Sequence, residues 1–229
     1  MITVVEPHAT IESSFEGIML LLERAGRTCY RSEDKIGDDT AERFIRGIIK
    51  RGHESVIEHA SVSVKIVCDR SCSHQLVRHR IAAYSQESQR YCDYGKKGCE
   101  VICPPDIGVK PGTYWMDYFE NAGDLVFDSD GTVAMSFVQT GWLGTVSQCY
   151  DSYLQLRKSG IKPEDARSVL PNAVKTEVFS TFNLRQWRHI FKERALNNHA
   201  QWQIRNIFRG LLDQFAQELP AIFGDLLDA

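Results

Sequence analysis

The sequence predicts an α/β chain in which helices dominate, on three observations. Apolar residues recur at helical spacing at about 11–22, 44–49, 133–154 and 202–215. Two other stretches read as strands: Val62, Val64 and Ile66 alternate with Ser61, Ser63 and Lys65, and 174–182 is rich in β-branched and aromatic residues. No repeat, low-complexity tract or clear linker divides the 229 residues, so 1–229 reads as one domain able to bury a sizeable core.

From the N-terminus, Ile2–Val5 is a short apolar segment. A helix is expected on Ile11, Phe15, Ile18, Met19 and Leu22, with Ser13 and Ser14 near its start and Gly26 as its stop. Arg27–Tyr30 then turns into a polar loop. Asp39 and Glu42 read as a capping box for a second helix that buries Phe44, Ile45, Ile48 and Ile49 and ends at Arg51-Gly52. Ser55 and Glu58 repeat that spacing, which predicts one helical turn within His53–His59. Beyond the strand at 61–66, a helix over about 70–77 delivers the chain into Arg78-His79-Arg80, and 82–88 is extended.

Residues 92–131 are the least readable. Pro104-Pro105 and Pro111-Gly112 break them, and Tyr114–Phe119 is a strand or a packing segment. Asp128-Ser129-Asp130-Gly131 reads as a turn before the next helix, because the downstream oxygen ligands of a calcium loop are missing. That helix is long, weakened at Gly141 and Gly144, and ended by Ser159-Gly160. Pro163 suits the first position of a short helix that Leu170-Pro171 stops. After the second strand, Asn183 with Gln186 caps a helix running to Arg194. Asn198 with Gln201 caps the last long helix, and Pro220 begins a terminal amphipathic piece.

The net charge is 27 − 30 = −3, which argues against a general nucleic-acid binder and leaves positive charge local. Met1–Glu6 lacks the basic and apolar runs of a secretory signal, and no stretch approaches the roughly 18 apolar residues of a membrane span. A cytoplasmic location with no membrane partner is expected. Seven cysteines, an odd count, favour reduced thiols behaving as small hydrophobes. Neither the Cys68/Cys72 and Cys99/Cys103 spacings nor His53–His59 matches a zinc motif, so no metal is expected.

Arg78–Arg90 gathers three arginines, a histidine, a glutamate and two serines. Arginine's planar fork suits phosphate or carboxylate oxygens, so the strip reads as an anion-binding site; the alternative is a solvated basic face. Further arginines stand at Arg167 and at Arg185, Arg188 and Arg194. No glycine-rich phosphate loop and no nucleophile motif is present, so a nucleotide here is held by side chains and helix starts. The residues by themselves reach as far as a phosphorylated, nucleotide-like ligand.

Arg78-His79-Arg80, seven residues and then Ser88, followed by Gln89-Arg90-Tyr91, resembles the signature of flavin-dependent thymidylate synthases. Gly52-His53-Glu54-Ser55 with Glu58-His59, Ser73–Val77, Ala166–Pro171, Asn183-Leu184-Arg185, Arg194 and His199–Trp202 resemble further family segments in order. Together they cover most of 25–205, with a poorly matched span at about 93–145.

The resemblance implies a single α+β domain with a central, mostly antiparallel sheet flanked by helices. It implies tightly bound FAD and reductive methylation of dUMP to dTMP. 5,10-Methylenetetrahydrofolate is the implied carbon donor, NADPH the reductant, and a homotetramer with shared sites the assembly. By position, FAD would meet Ser55, Arg78, His79, Arg80, Gln86, Asn183, Arg185 and His189. The dUMP set would be Gln75, Arg78, Gln86, Glu87, Ser88, Gln89, Arg90, Arg167 and Arg194. Arg194 and His53 would be catalytic, Arg194 by polarising the pyrimidine and His53 from beside flavin and folate. Gln86 replaces a glutamate of some relatives, His189 an asparagine and Cys29 a serine. The 93–145 span is expected to decorate the tetramer surface or line the folate entrance. Two other readings are a nucleotide sensor without turnover and a single-stranded nucleic-acid binder.

Overall fold

A computed structural model describes residues 1–117 and 125–227. In chain order the first elements are β1 (Ile2–Val4), β2 (His8–Ile11), α1 (Ile18–Thr28), α2 (Thr40–Lys50), β3 (Ser61–Asp69), α3 (Arg70–Leu76) and β4 (Ala83–Gln86). Then come α4 (Tyr94–Lys97), β5 (Glu100–Val101), β6 (Gly112–Asp117), β7 (Leu125–Asp128), β8 (Gly131–Val133) and α5 (Phe137–Lys158). The chain ends with α6 (Pro163–Ala166), β9 (Lys175–Asn183), α7 (Leu184–Ile190), α8 (Trp202–Glu218) and α9 (Pro220–Phe223).

Two sheets take the place of the one central sheet expected, in the orders β5-β1-β6-β7-β8 and β2-β3-β9-β4. The described residues group into two compact units. Unit 1 is Met1–Pro7, Val67–His74 and Gln86–Val178; unit 2 is His8–Ile66, Gln75–Ser85 and Phe179–Ala229.

Unit 1 is built on β1, which pairs parallel with β5 and antiparallel with β6. Val109, Tyr114 and Val126 are buried in one cluster with Ile2, Val4 and the α5 residues Leu143, Val146 and Tyr153. The 93–145 span thus supplies core. Asp128–Gly131 is a hairpin turn between β7 and β8, Asp128 Oδ1 accepting from the Asp130 N–H at 2.9 Å. Tyr118 and Phe119 lie outside the described residues. A capping box missed in the sequence starts α5: Ser136 Oγ accepts from the Gln139 N–H, and Gln139 Oε1 accepts from the Ser136 N–H.

Unit 2 packs around Trp187, whose ring meets Phe182, Phe191, Phe208 and Phe215 and whose indole N–H donates to the Val62 carbonyl at 3.1 Å. Such a core holds β3 and β9 beneath α7 by both area and a satisfied polar handle. The first helix starts later than its periodicity suggests, because 8–11 is strand and Gly17, at φ 75°, turns the chain into α1. Gly26 lies inside α1 and is not its stop. A Cβ there would sit 2.6 Å from Phe44 Cε1 and 3.1 Å from Ile48 Cδ1, so the glycine lets α1 and α2 approach. Gly26→Ala is therefore expected to destabilise by about 1–2 kcal/mol, the overpacking cost exceeding the gain in helix propensity. A urea midpoint equal to or above wild type would refute that.

The cap at Asn183 is present, its Oδ1 accepting from the Gln186 N–H at 2.8 Å. Three other expected caps are not. Asp39 makes no cap bond, and Thr40 Oγ1 instead accepts from the Gly37 N–H and lies 3.0 Å from Glu23 Oε2. The turn at Glu54–His59 is a 3-10 helix without a side-chain cap, Glu58 being engaged by Arg185. Gln201, not Asn198, caps α8 by accepting from Gln203 and Ile204 N–H groups.

Candidate functional site

Unit 2 carries His53, Ser55, Gln75, Arg78, His79, Arg80, Asn183, Arg185, His189 and Arg194 of the expected set; unit 1 carries Gln86, Glu87, Ser88, Gln89, Arg90 and Arg167. The Arg78–Arg90 strip passes from unit 2 into unit 1 between Ser85 and Gln86.

In unit 2, a cleft of about 490 Å³ is lined by Asn183, Arg185, Gln186, His189, Lys192, Glu54, Glu58 and Ile81. Asn183 starts α7 and Arg185 follows in its first turn; His189 and Lys192 come four and seven residues after Arg185, a spacing that repeats one helical face. That spacing was the available signal for Lys192, which the sequence reading passed over. Arg185 is held by Glu58 at 2.6 Å, with both side chains substantially exposed, so an anionic ligand can displace the carboxylate at little cost. Ile81 is 77% exposed and sits at φ 66°, a region that β-branched residues rarely enter. Cationic and amide donors beside an exposed apolar side chain suit a ligand that joins phosphates to flat rings.

The strip is not uniformly exposed. Arg78 and Arg80 face solvent, while His79 between them is buried. Its N–H donates to the Leu76 carbonyl at 3.1 Å, and Tyr84 Oη donates to its own carbonyl at 2.6 Å. Arg194 Nε donates to His79 Nε2 at 2.9 Å, and the His189 ring is 6.1 Å away between centroids. Arg194 lies on a π-helical segment, Phe191–Leu196, that continues α7; such widened turns often occur at functional sites. Burial, then the charge of Arg194, then His189 push the His79 pKa down to about 4, so its ring stays neutral. Burial also pushes the neighbouring Tyr84 phenol up to about 12.

A pH effect on stability follows. An unfolded histidine takes a proton near 6.5, whereas folded His79 refuses it until about 4. Between those values the unfolded chain binds more protons, so stability falls as pH drops through that window, by about 3 kcal/mol at most. Urea midpoints at pH 7 and 4.5 should show the loss in wild type and a smaller one in His79→Gln. Equal losses would count against it.

In unit 1, Arg90 Nε lies 3.3 Å from Glu164 Oε2, and Arg167 Nε donates to the Glu164 carbonyl at 3.0 Å. One residue of α6 thus joins two arginines expected at dUMP. Gln86 points its amide at Ser73 Oγ (3.0 Å) and Thr176 Oγ1 (3.3 Å). Glu87 donates its N–H to the Glu177 carbonyl at 2.9 Å, and its carboxylate lies 3.8 Å from Lys175 Nζ. Burial by itself would lower the Lys175 pKa, but Glu100 and Glu177, each at 2.8 Å, win and raise it. Ser88 Oγ accepts from the Arg90 N–H at 3.3 Å.

Among the described residues, Ser55, Gln75, Arg78, Arg80 and Gln89 make no hydrogen bond to another expected site residue. His53 is exposed, its Nδ1 3.4 Å from Tyr30 Oη. Arg188, grouped in the sequence with Arg185 and Arg194, is not an anion-binding residue. It is 3% exposed and committed to Glu54 and Asp225. Cys68, Cys72 and Cys99 are buried, as thiols acting as small hydrophobes should be, whereas Cys92, Cys103 and Cys149 are half-buried and Cys29 is exposed. No helix among the described residues is long and apolar enough to cross a membrane.

Comparison with known proteins adds four findings. Residues 13–221 match the family described as thymidylate synthase complementing protein. The chain is 36% identical over 222 residues to a flavin-dependent thymidylate synthase of Mycolicibacterium vanbaalenii, covering 96% of this chain and 84% of that one. A Mycobacterium bovis protein of the same description is 36% identical over 215 residues, covering 92% and 80%. The fold is similar to that of a UMP/dUMP methylase, PolB, from Streptomyces cacaoi, solved with 5-Br UMP. The TM-score is 0.73 at 20% identity, covering 97% of this chain and 95% of that one.

Proposed function

The chain belongs to the flavin-dependent thymidylate synthase family, and on that premise we propose that it converts dUMP to dTMP. We assign FAD as its tightly bound cofactor, 5,10-methylenetetrahydrofolate as its carbon donor and NADPH as its reductant. Beyond family membership, one observation carries the reading: Arg194 is held on a buried neutral histidine within the unit that also bears a cleft lined by Arg185, Lys192 and amide donors. The cleft suits a cofactor with phosphates, and the arginine suits a pyrimidine that gains negative charge.

When bound, the flavin supplies the hydride that completes the transferred one-carbon unit as a methyl. This chain's residues bind and polarise. Asn183, Arg185 and His189, with Ser55, Arg78, His79, Arg80 and Gln86, hold the cofactor. Gln75, Arg78 and Gln86 to Arg90, with Arg167, hold dUMP, the arginines meeting its phosphate through charge-assisted bonds. Arg194 would lower the cost of ionisation at pyrimidine N3 by placing a guanidinium of opposite charge beside it. His53 is assigned a place beside flavin and folate.

We read residues 1–229 as one synthase domain, acting in the cytoplasm as a homotetramer with sites shared between subunits. An anaerobic incubation with dUMP, methylenetetrahydrofolate, FAD and NADPH tests the activity, and dTMP should form. Binding of dUMP without dTMP would favour a sensor. Steeply salt-dependent oligonucleotide binding would favour a single-stranded nucleic-acid protein. Colourless protein that regains no flavin from added FAD would remove the cofactor assignment.

A further inference from the structure

We propose that His79 is a positioning residue for Arg194: its Nε2 lone pair accepts the Arg194 Nε–H and fixes the plane in which the guanidinium meets the pyrimidine. The inference rests on the proposed role of Arg194 but on separate geometry. The Nε to Nε2 distance is 2.9 Å, and His79 is 8% exposed while both flanking arginines face solvent. Its backbone is fixed on both sides of the ring, by the N–H bond to Leu76 and by Tyr84 Oη, which also lies 2.8 Å from the Leu76 carbonyl. Arg194 is anchored between buried Phe191 and Ala195 on the π-helical segment. Both partners of the bond are therefore set by the fold.

The bond specifies chemistry as well as place. An accepting Nε2 carries no proton, so the neutral ring holds its proton on Nδ1. The titratable side chains acting on the ring are Arg194 and His189, and neither supplies a negative charge that would favour imidazolium. His79 is thus a fixed acceptor. An unheld arginine side chain turns about its terminal bonds, and a misplacement of about 1 Å can cost about 10²-fold in rate. Donating from Nε uses the guanidinium's side and leaves its far edge, with the two terminal nitrogens, as the part directed to a ligand.

Two measurements test this. In protein labelled with ¹⁵N-histidine, with the His79 signal assigned by its loss in His79→Gln, the ring should be the Nδ1–H tautomer at pH 7. In Arg194→Leu it should become a tautomer mixture that titrates at a higher pH than in wild type. In turnover at saturating dUMP and FAD, His79→Leu should lose about 10²-fold in kcat with little change in KM for dUMP. His79→Gln, whose carboxamide oxygen still accepts, should stay within about 10-fold of wild type on the same reasoning. A purely structural histidine predicts no difference between the two variants. An Nε2–H or charged ring at pH 7, or equal kcat for the Leu and Gln variants, would overturn the proposal. If wild type makes no dTMP, the function is wrong, and the tautomer measurement still decides the geometry.

Discussion

Arg194→Ala is expected to keep its flavin and lose dTMP formation by about 10²–10³-fold. The size is that of removing one preorganised donor from a charge-stabilising site, about 3–4 kcal/mol. The cause is specific to this residue. Arg194 is half-buried on a helical segment whose neighbours are core, and its Nε is already committed to His79. In the proposed role it would meet a bound pyrimidine without reorganising, its charge acting where solvent screens it less. Flavin should stay because Asn183, Arg185, His189 and Lys192 line the cleft independently of Arg194. Arg194→Lys should recover little, since an ammonium lacks the planar fork and the Nε donor. The readouts are flavin absorbance of the purified variant and dTMP by chromatography. Turnover within about threefold of wild type, far short of the loss expected for one lost donor, would remove Arg194 from the chemistry.

The parts of this chain legible in its sequence are those governed by local rules. Alternation at 61–66 and the Asn183 cap depend on neighbours within a few residues, and both are present in the structure. β5, β7 and β8 are two to four residues long and carry no readable period, so the five-stranded sheet was invisible. Gly26 was misread because a glycine that ends a helix and one that admits a neighbour look alike until Phe44 is in place. The site shows the same division. Family-like motifs named candidate residues, but nothing in Arg78-His79-Arg80 says that only the middle side chain turns inward. Nor does the sequence separate Arg188 from Arg185 and Arg194; their difference is made by Asp225, 37 residues further along.

That difference supports the second large expectation: Arg188→Met should destabilise the fold by about 3 kcal/mol, whereas Arg185→Ala should leave the denaturant midpoint close to wild type. Arg188 donates from Nη1 and Nη2 to Asp225 Oδ1 and Oδ2 at 2.6 and 2.8 Å, from Nε to Glu54 Oε1 at 3.1 Å, and from Nη1 to the Ile222 carbonyl. Removing it takes the close cation from Glu54, 23% exposed and otherwise 4.0 Å from Arg185, and from Asp225, 52% exposed. The more exposed Asp225 can recover water, which places the loss at the lower end of the range for a broken buried pair. Arg185 has a short bond to Glu58, but both ends are open to solvent and screened. The effects on cofactor should rank differently. Arg185→Ala should weaken FAD directly from a near-normal fold. Arg188→Met should weaken it only through Glu54, which lies between His53 and Ser55 and loses its anchor. Denaturant midpoints with FAD titrations separate the two roles. If Arg188→Met unfolds at the wild-type midpoint, the clamp contributes no stability, and Arg188 returns to the pool of arginines available to a ligand.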